Sequence, residues 1–116
     1  MNLNWVKCQG DVWCKLDTVN LDHPHFNSME GVYIIWHGGI SPHTVRVGQG
    51  TIRDRLRSHR TDPEVQQYSS LGLYVTWASV EKSQRDGVET FLYTRLSPKV
   101  GQRTPVALQI NVNMPW

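Results

Sequence analysis

The chain has 116 residues, of which 39% are hydrophobic and 19% are charged, and its formal net charge is +2. This composition is typical of one soluble globular domain spanning residues 1–116, and the chain is too short for two hydrophobic cores. No run approaches the roughly 18 apolar residues of a membrane span, and the N-terminal residues lack the apolar centre of a signal peptide. We therefore expect a cytoplasmic protein with no membrane contact.

The first predicted element is a β-hairpin, which together with a following loop occupies residues 1–30. Two strand-like runs flank the turn signal Gly10–Asp11. Cys8 and Cys14 stand on either side of this turn, so they could meet across the two strands. Two cysteines are too few for a disulfide framework or a zinc site by themselves. Buried free thiols are the expectation.

The next elements form a predicted core over residues 31–101. The runs GVYIIWH and HTVRVG are typical of two strands joined by a glycine and proline turn, and LGLYVTWASV predicts a third strand. The run TIRDRLRSHR has the period of a helix, with Thr51 as a candidate N-cap. Asp62–Pro63 favours the start of a short helical turn. The run SQRDGVETFLYTRL predicts a second, longer helix.

Residues 102–116 form a predicted C-terminal extension, which could add one more short strand. The order of the predicted elements is ββαβα, with extra β segments at both ends. This order predicts a small α+β domain, arranged as an α/β sandwich.

Positive charge is concentrated in residues 46–60, which carry five arginines against a single acidic residue, Asp54. Such a cluster in a nearly neutral chain suggests a polyanionic partner at one place on the surface. Three of the arginines project outward from the predicted helix, where they either contact phosphates or simply keep the protein soluble. These outward arginines are Arg53, Arg57 and Arg60.

Each predicted helix also carries polar residues in or beside its apolar stripe. On the first helix Ile52, Leu56 and His59 form the inward stripe. Arg55 lies at the edge of this stripe, one turn before His59, so that both lean toward whatever the helix packs on. They are either functional or, as the alternative, a buried ion pair or a capped core histidine. On the longer helix Glu89 either pairs with Arg85 across one turn or supplies a hard oxygen ligand to a divalent cation.

Four motifs in order resemble the GIY-YIG nuclease superfamily: GVY, VRVGQG, RLRSH and ETFLYTRLSP. The resemblance covers roughly residues 31–101. It implies a three-stranded antiparallel central sheet flanked by helices, to which this chain adds the N-terminal hairpin. It also implies an endonuclease that hydrolyses DNA phosphodiester bonds with one divalent metal ion, Mg²⁺ or Mn²⁺.

The resemblance assigns a role to four residues. Tyr33 matches the tyrosine of the first motif, which is implicated in activating the attacking water. Arg55 matches the arginine that contacts the scissile phosphate, and His59 stands where many members carry a residue that assists the chemistry. Glu89 matches the single glutamate that binds the metal.

Three positions depart from the pattern of this superfamily. Arg46 replaces the tyrosine of the second motif, where it could hold a phosphate but cannot act as a base at neutral pH. Gln49 stands where some members carry a lysine, and we expect both residues to contact nucleic acid. The asparagine that commonly follows the glutamate helix is absent after Pro98, although Asn111 or Asn113 could supply an amide.

Two other functions stay open on these residues. One is a nucleic-acid-binding module of the same fold that has lost cleavage, which Arg46 in the tyrosine position favours. The other is a structural interaction domain. Duplex or branched DNA is the expected partner, and specificity would come from a homodimer, a targeting partner or the added β segments.

Overall fold

The computed structural model describes residues 1–101 and 104–116, and its centre is a four-stranded antiparallel sheet. The strands lie in the spatial order β1-β4-β2-β3. Their bounds are β1 Cys14–Lys15, β2 Glu30–His37, β3 His43–Thr51 and β4 Leu73–Ser79. Three long strands therefore form the middle and one edge of the sheet, and the two-residue β1 is added at the other edge. The expected α+β class is confirmed.

Three helices accompany the sheet, and two short 3-10 turns lie in the connections. The helices are α1 Ile52–His59, α2 Pro63–Gln66 and α3 Lys82–Leu96, and the 3-10 turns are Pro24–Phe26 and Ser69–Leu71. Thr51 precedes α1, but its side chain makes no capping hydrogen bond. Asp62 does cap α2, as its sequence position predicts. Within the described ranges, no helix is long and apolar enough to cross a membrane.

The central strand β2 is apolar on both faces because both faces are covered. Tyr33 and Ile35 belong to the core beneath α1, whereas Val32 and Ile34 belong to the core beneath α3. All four side chains are fully buried. A strand buried on both sides has a continuous rather than an alternating apolar run, which explains the sequence GVYIIWH.

The predicted N-terminal hairpin is present only as a single bridge between Cys8 and Val12. Its turn has positive φ values of 84° at Gly10 and 58° at Asp11, as a tight hairpin turn requires. The expectation of free thiols is wrong, because Cys8 and Cys14 form a disulfide with their Cα atoms 5.1 Å apart. The tight turn brings the two cysteines within the usual range for this bond.

The C-terminal extension forms no strand within residues 104–116, contrary to the prediction, and residues 102 and 103 lie outside the described residues. The extension packs on α3 instead, where the Ile110 amide donates to the Gly87 carbonyl. A Cβ at Gly87 would lie 2.6 Å from the Leu108 carbonyl oxygen. This close contact explains why a glycine occupies a position inside α3, where it has no side chain to clash with the extension.

Candidate active site

A buried tyrosine and histidine pair lies between the central strand and the first helix. Tyr33 projects from β2 and His59 is the last residue of α1, and their exposed fractions are 0% and 2%. The Tyr33 hydroxyl oxygen lies 2.6 Å from His59 Nε2. Gly48 on the neighbouring strand β3 pairs with Tyr33, and a Cβ at Gly48 would lie 2.2 Å from the phenol oxygen. The glycine of the VRVG motif therefore makes room for the phenol.

Both members of this pair are neutral at pH 7. Burial raises the pKa of Tyr33, and the nearby guanidinium groups of Arg55 and Arg46 offset only part of that effect. Burial, followed by the positive charges of Arg46 and Arg55, lowers the pKa of His59 to about 4, although Asp62 acts in the opposite direction. A neutral imidazole can accept a hydrogen bond at one ring nitrogen, so the phenol can donate to Nε2.

The low pKa of His59 predicts that folding stability falls as the pH decreases from 6.5 toward 4. Between these values the unfolded chain binds a proton that the folded chain does not, so the folded state loses up to about 3 kcal/mol. Urea denaturation at pH 7 and pH 4.5 measures this loss. His59→Gln is the control, because its stability should decline less over the same range. Parallel declines in the two proteins would contradict the assignment.

Two arginines next to this pair have hydrogen-bonding capacity that the chain leaves unused. The Nε atoms of Arg46 and Arg55 are buried, and neither has a hydrogen-bond partner among the described residues. Arg46 lies opposite Ile35 and therefore points to the same face of the sheet as Tyr33. Within the described chain, neither guanidinium forms an ion pair. Two neighbouring arginines, each with an unused buried Nε donor, form a site suited to an anion such as phosphate.

Two carboxylates on α3 share one amide from the edge strand. Gln49 Nε2 lies 2.7 Å from Glu89 Oε2 and 2.8 Å from Asp86 Oδ1. Burial raises the pKa of Glu89, and Asp86 adds to the increase, while the Gln49 hydrogen bond, Arg46 and Arg55 oppose it. The alternative pair of Glu89 with Arg85 does not form, because Arg85 contacts Glu30 instead.

These carboxylates fit a hard divalent cation better than a transition metal. Among the described residues, no three His, Cys, Asp or Glu side chains are grouped as a metal site. Mg²⁺ does not need such a group, because it keeps most of its water and uses one or two carboxylates. A cation beside Glu89 would also neutralise the charge that burial and Asp86 make costly.

The outward arginines have a different environment from the one expected. Their guanidinium groups donate to the loop over residues 16–27, and Arg53 and Arg60 are half-buried. The contacts run from Arg53 to Leu21, His23 and Asn27, from Arg57 to Asp22, and from Arg60 to Leu16 and Val19. The expected row of free outward donors is therefore not observed. Nucleic-acid contact by these three residues stays a prediction.

We expect Arg60→Met to lower the free energy of unfolding by about 1–3 kcal/mol, because it leaves the carbonyls of Leu16 and Val19 without this donor. Arg57→Met is the matched control, since its ion pair with Asp22 is largely exposed and should contribute less than about 1 kcal/mol. Urea denaturation of both variants measures the difference. Unchanged stability of Arg60→Met combined with weaker DNA binding would restore the phosphate-contact interpretation.

The geometry brings together six residues that the sequence singled out, and it adds Asp62 and Asp86, which sequence reasoning did not identify as site residues. Tyr33, Arg55, His59 and Arg46 share one site, with Glu89 and Gln49 beside it. Asp86 could have been found from its spacing, because it lies three residues before Glu89 on the same helix. Asp62 lies beyond the end of α1, at the N-cap of α2, so helix spacing does not connect it with His59.

No family model, curated protein or solved structure matches the chain.

Proposed function

We propose that the protein is a metal-dependent endonuclease that hydrolyses DNA phosphodiester bonds through a GIY-YIG-type site. One observation carries the proposal: the buried Tyr33–His59 pair lies next to two arginines whose Nε donors are unused. A structural core has little need for buried donors without partners, because each unsatisfied donor costs free energy. An anionic substrate would satisfy them.

Arg46 and Arg55 would bind the oxygens of the scissile phosphate. Guanidinium groups form short, charge-assisted hydrogen bonds with phosphate and stabilise the negative charge that develops on the phosphoryl oxygens. Tyr33 is fully buried. The two arginines would therefore have to shift toward the phosphate and open the phenol to the attacking water.

Tyr33 and His59 would move the proton of that water. The phenol oxygen accepts a proton from the water while the phenol proton passes to His59 Nε2, so Tyr33 ends unchanged and His59 becomes an imidazolium. This relay removes the need for a free phenolate, which a raised pKa makes rare at neutral pH. Solvent protonates the leaving oxygen and later takes the proton from His59.

Glu89 would hold the metal ion, with Asp86 as the neighbouring carboxylate. When bound, Mg²⁺ or Mn²⁺ supplies positive charge to the phosphoryl and leaving oxygens. Gln49 donates to both carboxylates, which keeps them oriented toward β3. When a cation binds, the Gln49 amide would have to break its hydrogen bond to at least one of these two carboxylate oxygens.

A second function is a nucleic-acid-binding module of the same fold without cleavage. The specific observation in its favour is the Gln49 amide, which already satisfies the two carboxylates that a metal would need. Arg46 in place of the motif's tyrosine also suits binding better than proton transfer. Such a module would bind DNA with a strong dependence on salt.

Incubation of the protein with supercoiled plasmid in Mg²⁺, in Mn²⁺ and in EDTA tests the proposal. Nicking that requires a divalent cation, on plasmid or on branched DNA, supports the endonuclease. Salt-dependent binding without nicking on both substrates would leave the binding module as the function. Neither binding nor nicking would favour the structural interaction domain.

A further inference from the structure

The imidazole of His59 uses only one of its two ring nitrogens in a hydrogen bond. Nε2 contacts the Tyr33 hydroxyl at 2.6 Å, whereas Nδ1 is buried and has no hydrogen-bond partner among the described residues. Nδ1 faces the carboxylate of Asp62, whose Oδ2 lies 3.6 Å away. This distance is too long for a hydrogen bond, yet the pair is separated from most of the solvent, since the side chains of His59 and Asp62 are 3% and 29% exposed.

Asp62 is held in this position by its role at the start of α2. Its Oδ1 accepts a hydrogen bond of 3.0 Å from the Glu64 amide, and Pro63 follows it at the first helical position. The capping bond occupies Oδ1 and leaves Oδ2 toward Nδ1. Gln66 from the same helix also donates to the His59 carbonyl at 3.2 Å. The end of α1 and the start of α2 are thus linked at the site.

We propose that Asp62 is a positioning residue that fixes the tautomer of His59 with the proton on Nδ1. This inference rests on the proposed function, since that tautomer leaves Nε2 free to take the proton of Tyr33. A carboxylate beside Nδ1 favours the N–H at that nitrogen and stabilises the imidazolium that forms. Asp62, His59 and Tyr33 then act as one proton relay, in which the 3.6 Å contact shortens as His59 gains charge.

Charged side chains from β3, from α1 and from the start of α2 face His59, and that of Asp62 is negative. Arg46 on β3 and Arg55 on α1 disfavour the imidazolium, and Tyr33 on β2 is neutral. The Asp62 carboxylate favours it. Among the described residues that shift the pKa of His59, removal of Asp62 would leave the positive charges of Arg46 and Arg55, so His59 would accept a proton less readily.

Asp62→Asn tests the proposal, because asparagine caps a helix about as well as aspartate but carries no charge. Glu64→Gln is the matched control, since it removes one negative charge from the same helix end without facing His59. Long-range ¹H–¹⁵N NMR of the labelled protein identifies the tautomer, with His59→Gln used to assign the ring signals. We expect the Nδ1–H form in the wild type and in Glu64→Gln. We expect the Nε2–H form or a mixture in Asp62→Asn.

Activity provides the second readout. Asp62→Asn should lower kcat for DNA cleavage by about 10–100-fold with little change in KM, the size of effect known for groups that orient metal-binding histidines. Glu64→Gln should cleave like the wild type. Should Asp62→Asn fail to fold, Asp62→Ser retains a capping side chain that is too short to reach Nδ1.

The NMR result separates this inference from the proposed function. An unchanged Nδ1–H tautomer in a folded Asp62→Asn protein would overturn the positioning role, whatever the cleavage activity. A changed tautomer in a protein that never cleaves DNA would keep the positioning role and remove the nuclease.

Discussion

Replacing Glu89 by alanine is expected to reduce Mg²⁺-dependent DNA cleavage by about 10³-fold or more, because a cation at this site supplies several kcal/mol of transition-state stabilisation. The fold should persist. The Glu89 side chain is half-buried, and burial together with Asp86 already raises its pKa, so its removal relieves a cost. Gln49 keeps Asp86 as an acceptor. Plasmid nicking and thermal unfolding of the same preparation measure both effects.

Glu81→Ala is the control for this variant. Glu81 lies at the N-cap of the same helix, is exposed, and makes no capping hydrogen bond with its side chain. It should nick plasmid like the wild type over the same range of Mg²⁺ concentration. Wild-type nicking by Glu89→Ala, with the same Mg²⁺ dependence, would remove the metal-site assignment and leave the arginines and the Tyr33–His59 pair to be explained without it.

The faces of the helices could be predicted from sequence because they depend on local periodicity. The spacing of Ile52, Leu56 and His59 placed them on one inward stripe, and all three are buried in α1. The same periodicity places Arg55 beside His59. In the structure Arg55 acts to lower the pKa of Tyr33, and His59 lies within hydrogen-bonding distance of the Tyr33 hydroxyl. A residue's own helix determines which way its side chain points, and the periodicity of residues 52–59 contains that information.

What covers each face could not be predicted, since it depends on contacts distant in sequence. Arg60 points outward from the stripe as expected, but it meets carbonyls 41 and 44 residues away. The helical wheel cannot distinguish solvent from a returning loop. Glu89 shows the same limit, because its partner is Gln49 on the edge strand, 40 residues earlier, rather than Arg85 one turn away.

For the cysteines, the turn was predicted correctly but the state of the two thiols was not. The turn at Gly10–Asp11 was predicted, and it has the expected positive φ values. The small number of cysteines favours free thiols. The turn, however, brings Cys8 and Cys14 close enough to bond, so local geometry and not the number of cysteines decides their state.

The second large effect is expected for Tyr33→Phe, which should lower kcat for DNA cleavage by about 10²–10⁴-fold, the usual contribution of a positioned acid or base. Phenylalanine keeps the ring that fills the space beside Gly48 and removes only the oxygen that would accept the proton of water. DNA affinity should change little, since Arg46 and Arg55 remain. Cleavage assays and fluorescence anisotropy with labelled DNA, the latter without divalent metal, separate the two effects.

Tyr74→Phe is the control, because this tyrosine lies on the same sheet and stacks on Trp36 at 5.9 Å, outside the site. The Tyr33→Phe protein should also lose about 1–3 kcal/mol of stability, since His59 Nε2 is left buried without a partner.

Loss of cleavage with unchanged DNA affinity identifies Tyr33 as part of the chemistry. Cleavage that survives in Tyr33→Phe but not in His59→Ala would assign the base to His59 alone, whereas survival in both would show that the buried pair serves the core and not the reaction.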